Sequence, residues 1–231
     1  MSSPSALFPS GHDESASLTV TALRESPRAP GRYLVTLSDG RALAVGVAAL
    51  SDTGATCIGA RLAPEAVARL VREAAISTLV CSAVGLLARG RKTRRELELR
   101  LKRKESDVTL VSIALERLEA AGVLSDTEVA RAEASSRLRR GVAPARVRQT
   151  LRSKGITGRD ADAAVADAMQ DDGFDELAAC RAAAGKRMRA FAALEPAVAR
   201  RRLIGFLQRR GFGGSTMRTV ITELLNSRGD P

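Results

Sequence analysis

The side chains with the most binding chemistry in this chain are its arginines and lysines, and they come in three runs. Arg89 to Lys104 holds nine cations, among them Arg94, Arg95, Arg100, Lys102, Arg103 and Lys104, against only Glu96 and Glu98. Arg137 to Lys154 holds seven and no acid, including Arg139, Arg140, Arg146, Arg148, Arg152 and Lys154. Arg200 to Arg210 holds five, again with no acid, including Arg201, Arg202, Arg209 and Arg210. A guanidinium is a permanent charge with forked donors, so its chemistry is recognition of phosphates and carboxylates. At helix ends a cation also complements the dipole, worth about 0.3 to 1 kcal/mol, which accounts for Lys104, Lys154 and Arg210 alone. Same-sign charge along three successive helices repels itself unless an anion faces it. These side chains are therefore assigned to contact with nucleic acid or an acidic protein partner.

Other constellations carry less. Gly211-Phe212-Gly213-Gly214-Ser215-Thr216 precedes a helix like a phosphate cradle, but no strand leads into it and no Gly-Lys-Ser/Thr follows. Ser215 reads better as a helix N-cap. The acids Asp160, Asp162, Asp167, Asp171, Asp172, Asp175 and Glu176 lack calcium-loop spacing and any histidine, and read as a solvated face. The single histidine, His12, has no base or ligand partner nearby. Cys57, Cys81 and Cys180 form no C-x-x-C pair, which argues against a disulfide framework or a zinc site and for reduced thiols in a cytoplasmic protein. No catalytic, cofactor or metal site is expected. No signal peptide and no apolar run of membrane-spanning length are read from the sequence.

The elements that must hold the cations follow from a repeat. Val147-x-x-x-Leu151-x-x-Lys154-Gly155 has a counterpart in Leu97-x-x-x-Leu101-Lys102-Arg103-Lys104-Glu105 and another in Leu203-x-x-x-Leu207-x-x-Arg210-Gly211. Fifty residues separate Leu101 from Leu151, and fifty-six separate Leu151 from Leu207. In each copy two apolar residues share a helical face, a cation occupies the last turn, and glycine or its stand-in stops the helix. Self-similarity at this period predicts an array of small helical units. The net charge of +11, with aromatic residues at only 3%, agrees with a basic array whose core is Leu, Val, Ile and Ala. Residues 1–63 hold five cations and five anions, so the whole excess lies on the helical part.

In chain order, residues 1–17 read as a disordered tail. Residues 18–63 read as a small antiparallel β meander and linker, with strands at Leu18–Glu25, Arg32–Leu37 and Arg41–Gly46, an Asp39-Gly40 turn, and an irregular stretch from Ser51 to Gly59. A lead-in helix begins at Pro64 and extends, bent or broken, to Ala88. Residues 64–122 form the first repeat, with helices from Thr93, whose partner Glu96 completes a capping box, and from Asp107 to Gly122. Residues 123–171 form the second, with helices from Ser125 to about Arg140, Ala143 to Lys154 and Arg159 to Gln170. Residues 172–231 form the third, with helices around Phe174 to Phe191, Pro196 to Arg210 and Ser215 to Asn226. The fold expected is mainly α: three tandem three-helix repeats preceded by a small antiparallel β meander.

Gly122-Val123-Leu124-Ser125-Asp126, together with Arg139-Arg140-Gly141-x-x-Pro144-Ala145-x-Val147-x-x-x-Leu151-x-x-Lys154-Gly155-Ile156, resembles the RecX family of regulatory proteins. Ala83-x-x-Leu86-Leu87-x-Arg89 with Arg94-Arg95-Glu96-Leu97-x-x-x-Leu101 is similar to that family's first repeat, and Phe206-Leu207-x-x-Arg210-Gly211-Phe212 to its third. Pro30-Gly31-Arg32-Tyr33-x-Val35 before Asp39-Gly40 is similar to an extension that some members carry. The resemblance implies a non-catalytic modulator of recombination and repair that binds the RecA protein and the RecA-DNA filament and suppresses ATPase and strand exchange. It carries over no active site, and a cytoplasmic monomer is expected. Val129 stands where many members have an aromatic residue and Glu105 where they have glycine, which bears on local packing. The alternative reading is a basic helical protein of helix-turn-helix type that binds DNA directly. Against it stand the spread of arginines over three units and the scarcity of aromatic residues for stacking on single strands.

Overall fold

The computed structural model describes residues 17–27, 31–191 and 193–226, and the expectations for the N-terminal tail and His12 lie outside the described residues. Two compact units emerge. Of the described residues, one contains those up to Arg89 with Glu98–Val123, and the other contains Gly90–Leu97 with those from Leu124 onward.

The first unit opens with strands β1 (Leu18–Glu25), β2 (Arg32–Leu37) and β3 (Ala42–Gly46), then helix α1 (Val47–Thr53), strand β4 (Arg61–Leu62) and helix α2 (Pro64–Leu87). The sheet is antiparallel in the order β3-β2-β1-β4, with Leu23 opposite Val35 and Val35 opposite Leu43. Asp39 sets the β2–β3 turn by accepting from the Arg41 amide at 3.0 Å. Alternation puts Val20, Val35, Leu37, Leu43 and Val45 on one face, where they pack with Leu50, Leu62, Val67 and Leu70. The meander is therefore present with a fourth strand added. The two residues of β4 are too few to give a periodic signal. Helix α1 also replaces part of the expected irregular stretch: it has no side-chain N-cap to announce it, and it ends at Gly54, whose φ is 72°.

Proline at N1 starts α2, and the helix runs unbroken for 24 residues. Among the described residues it is the one helix long and apolar enough to cross a membrane by length and composition, contrary to the reading that no such segment exists. Packing accounts for part of its apolar character, with 28% of the spanning-length window buried. Ala66, Val67, Leu70 and Ala74 serve the sheet's core, and Glu73 makes two 2.8 Å contacts with Arg117 of a later helix, α4 (Val108–Ala120). The guanidinium's hydrogen bonds hold the Glu73 carboxyl below its ordinary range. Between α2 and α4 lies α3 (Arg94–Leu101).

The second unit holds the later repeats: α5 (Asp126–Arg139), α6 (Pro144–Ser153) and α7 (Gly158–Asp171), then α8 (Glu176–Arg189), α9 (Pro196–Arg209) and α10 (Gly214–Asn226). Local signals start these helices where the sequence places them. Ser125, Thr157 and Asp175 each accept a backbone amide at an N-terminus, and prolines open α6 and α9. Ser215 is the exception, since α10 begins at Gly214 and leaves Ser215 inside its first turn. The apolar pairs that defined the repeat are all core: Leu97 with Leu101, Val147 with Leu151, and Leu203 with Leu207 are each 0% exposed. The second repeat packs Ala130, Ala134, Ala161, Ala164 and Ala168 around Val147 and Leu151. The third surrounds Leu203 and Leu207 with the larger Met188, Phe191 and Phe212.

Candidate anion-binding interface

The cations are positioned by the middle helices, and the middle helices are positioned by two glycines. Helix α6 ends as the repeat predicts: the Ile156 amide returns to the Leu151 carbonyl, and Gly155 takes a φ of 91°. Helix α9 ends the same way, with the Phe212 amide on the Leu207 carbonyl and Gly211 at a φ of 87°. Each glycine also meets the start of another middle helix. A Cβ on Gly155 would lie 2.5 Å from the Arg95 Cβ, and one on Gly211 would lie 2.6 Å from the Arg146 Cβ and 3.0 Å from its amide nitrogen. No side chain fits at either place.

Polar contacts complete the first of these seams. Thr93 is 0% exposed, and its hydroxyl donates at 2.7 Å to the Lys154 carbonyl at the end of α6. Its amide donates to Glu96 at 3.0 Å, which closes the expected capping box, and the Arg94 amide donates to Asp126 at 2.7 Å. The second seam is apolar, with Ala143, the residue before α6, sunk into the core of the third repeat. Within this unit the N-terminus of α6 thus abuts the C-terminal stop of α9, and the first turn of α3 abuts the stop of α6.

The cations carried by this scaffold differ in their surroundings. In the second repeat, acids of the chain already hold several. Asp162 takes Arg148 at 3.2 Å and Arg152 at 3.1 Å; Asp172 takes Arg139 at 2.9 Å; Glu133 takes Lys154 at 3.4 Å and Arg137 at 2.6 Å. The Ser135 hydroxyl, and then Arg139, hold the Asp172 carboxyl below its ordinary range. Burial pushes Glu133 upward, yet Arg137 and Lys154 together leave it lowered. The acids read as a solvated face are, at Asp162, Asp167 and Asp172, partners of arginines on neighbouring helices. The anion that same-sign charge requires is here partly internal. Among the described residues Arg140 and Arg146 make neutral contacts only, to Ser136 at 2.9 Å and Gln149 at 2.6 Å. In the first unit Lys102 pairs with Glu98 at 2.6 Å, while Arg100, Arg103 and Lys104 are exposed.

The third repeat is arranged otherwise. Arg201, Arg202 and Arg209 of α9 meet Arg187 of α8 around a cleft of about 260 Å³ floored by Phe191, Gly205 and Phe206. The Arg187 guanidinium lies 5.1 Å from the Phe191 ring centre and 5.5 Å from that of Phe206; Arg210 lies 5.2 Å from Phe206. Among the described residues, these five arginines make no ion pair. Arg187, Phe191 and Phe206 were not among the expected site residues. Their signal is the four-residue spacing of Arg187 with Phe191, just past the end of α8, and of Phe206 with Arg210, at the end of α9, which lets each guanidinium reach its ring.

What these groups offer is anion recognition. Among the described residues no cluster of three or more His, Cys, Asp or Glu side chains could hold a metal ion. Cys180, buried in the third repeat, has its thiol pushed up to about 11 by burial and so behaves as a core residue.

Comparison with known proteins gives a consistent result. A family model described as "RecX, third three-helix domain" matches residues 175–221. The regulatory protein RecX of Halorhodospira halophila is 38% identical over 141 residues, covering 60% of this chain and 83% of that protein. The RecX of Deinococcus radiodurans is 36% identical over 140 residues, covering 57% of this chain and 61% of that protein. A crystal structure of a regulatory protein RecX superposes with a TM-score of 0.71 at 19% identity, covering 88% of this chain and 98% of that one, so the architecture is shared.

Proposed function

Since the chain belongs to the RecX family of non-catalytic regulatory proteins, we propose that it binds RecA and the RecA-DNA filament in the cytoplasm and suppresses ATPase and strand exchange. The observation that carries this reading is the end-to-end placement of middle helices in the second unit, each with its apolar pair buried and its cations outward. A filament repeats its acidic surface and its phosphates at regular intervals, and a chain of basic modules meets several at once. Binding of one module raises the effective concentration of the next, so modest contacts combine into tight occupancy. On α3, α6 and α9 and beside them, the contacts are assigned to the exposed cations that no acid of the chain holds among the described residues, such as Arg103, Arg140, Arg146 and Arg209.

Reversal of charge tests it. Arg148 and Arg152 are poor choices because Asp162 already holds them, and reversal would crowd three acids together. Arg103, Arg140 and Arg146 are exposed and make no ion pair among the described residues. Changing all three to Glu should weaken capture of RecA, with and without single-stranded DNA, and raise the concentration needed to inhibit strand exchange. Circular dichroism should be unchanged, since exposed charges contribute little to folding. Inhibition as strong as that of the unmodified protein at equal concentration would sink the reading.

A further inference from the structure

The cleft on the third repeat has features that a general basic face does not require. Its arginines come from two helices, they converge, and the lining contains no acid. Long side chains with several rotatable bonds lose entropy on binding, and a ring beneath a guanidinium removes part of that loss beforehand. Phe206 does this for Arg187 and Arg210, and Phe191 for Arg187 again. Phe191 and Phe206, which also pack in or against the core of the third repeat, thus hold arginines in place with their outer faces. Gly205 contributes by absence: Arg209 Nη1 would stand 3.3 Å from a Cβ there, so the guanidinium folds over bare backbone.

We propose that this cleft is a phosphodiester-binding site that seats the backbone of a single-stranded nucleic acid, with or without RecA. Converging, fixed guanidiniums suit phosphate oxygens, which accept forked donors from several directions. A flexible strand can turn one sugar-phosphate unit into a concave cleft of this size, whereas a duplex is stiff and holds its phosphates along fixed helical ridges, so that seating one of them in the cleft costs bending energy. An acidic peptide offers carboxylates on separate flexible stems and pays more ordering entropy for the same charge. The sparse aromatic content of the chain is no obstacle, because the rings act on the arginines.

The inference does not rest on the RecA reading, and its test omits RecA. Anisotropy of a fluorescent oligodeoxythymidylate is titrated with full-length protein at several salt concentrations. Neutralising Arg201, Arg202 and Arg209 together to Gln should weaken binding at least ~10-fold. It should also flatten the slope of log affinity against log salt by roughly 2, since each phosphate contact on a single strand contributes about 0.7. The paired change Arg148→Gln with Arg152→Gln should leave both quantities nearly unchanged, because Asp162 occupies those arginines. Phe206→Leu, which keeps every charge, should weaken binding several-fold with the slope intact. The proposal is overturned if the two arginine sets have equal effects, if the cleft variant binds as tightly as the unmodified protein, or if duplex or polyglutamate competes as well as the oligonucleotide does. Since the cleft arginines are exposed and make no ion pair among the described residues, their neutralisation should leave the far-ultraviolet spectrum unchanged.

Discussion

The second and third repeats share a topology and a middle-helix ending, yet they treat their charge in opposite ways. In the second, α7 brings Asp162, Asp167 and Asp172 against arginines of α5 and α6. In the third, α10 carries only Glu223, which is taken by Arg181 of α8 at 2.9 Å, and α9 is left without an acid. What distinguishes the two is the third helix of each unit. Formal charge on a middle helix therefore does not equal charge available to a ligand, and the available charge concentrates where two phenylalanines hold it. Packing differs less: alanines line both cores, with Leu138, Ile156 and Val165 filling the second and Met188, Phe191 and Phe212 the third.

Core truncation should break this comparison most strongly. Leu151→Ala and Leu207→Ala should each cost about 2 to 5 kcal/mol, since both side chains are 0% exposed. The two losses should be of similar size, since each core has a flexible methionine that can shift toward the void, Met169 packed against the second and Met188 within the third. Denaturant titration with hydrogen exchange would assign each loss to its repeat. The seams come next. Alanine at Gly211 must adopt a left-handed conformation, at about 1 to 2 kcal/mol, and must also displace the backbone of Arg146, whose amide nitrogen would lie 3.0 Å from the new methyl. At Gly155 the obstructing atoms all belong to the Arg95 side chain. Gly211→Ala should therefore be the more destabilising of the two, with faster exchange of the amides at the start of α6.

Much of this fold was legible because short rules decided it. The pairs Leu97 with Leu101, Val147 with Leu151 and Leu203 with Leu207 announced core by spacing alone. Thr93 with Glu96, Ser125, Asp107 and the prolines at 64, 144 and 196 fixed helix starts within a residue or two. The two-residue β4 and the uncapped α1 escaped because neither is long enough for periodicity to accumulate. The candidate site was legible in its cations and not in their pairing. Asp162 lies ten residues beyond Arg152, and Asp172 thirty-three beyond Arg139, so these pairings exist only after helices turn back on each other. The cleft escaped for the same reason: Arg187 and Arg201 belong to different helices, and no local pattern brings them together.

The smallest expected effect on stability is also the sharpest test of the contrast, because it should make the second repeat behave like the third. Asp162→Asn removes the acid shared by Arg148 and Arg152, and with the carboxylate half exposed the cost should be about 0 to 1 kcal/mol. Two guanidiniums would then face solvent on α6, and oligonucleotide binding should strengthen several-fold, with the salt slope steepened by roughly one. Acid should act on the same repeat through Asp172 and Glu133, whose carboxyls are held below their ordinary range by partners in the fold. A depressed folded-state value means that the stabilisation is present above the unfolded range near pH ~4 and is lost as pH falls through the depressed values. Hydrogen exchange on lowering the pH should therefore accelerate in α5 and α7 before α9, whose exposed arginines have no carboxylate to lose. If Asp162→Asn leaves oligonucleotide binding unchanged while Arg201, Arg202 and Arg209 prove essential, charge alone does not make a site, and the ring-held geometry of the third repeat is what selects the ligand.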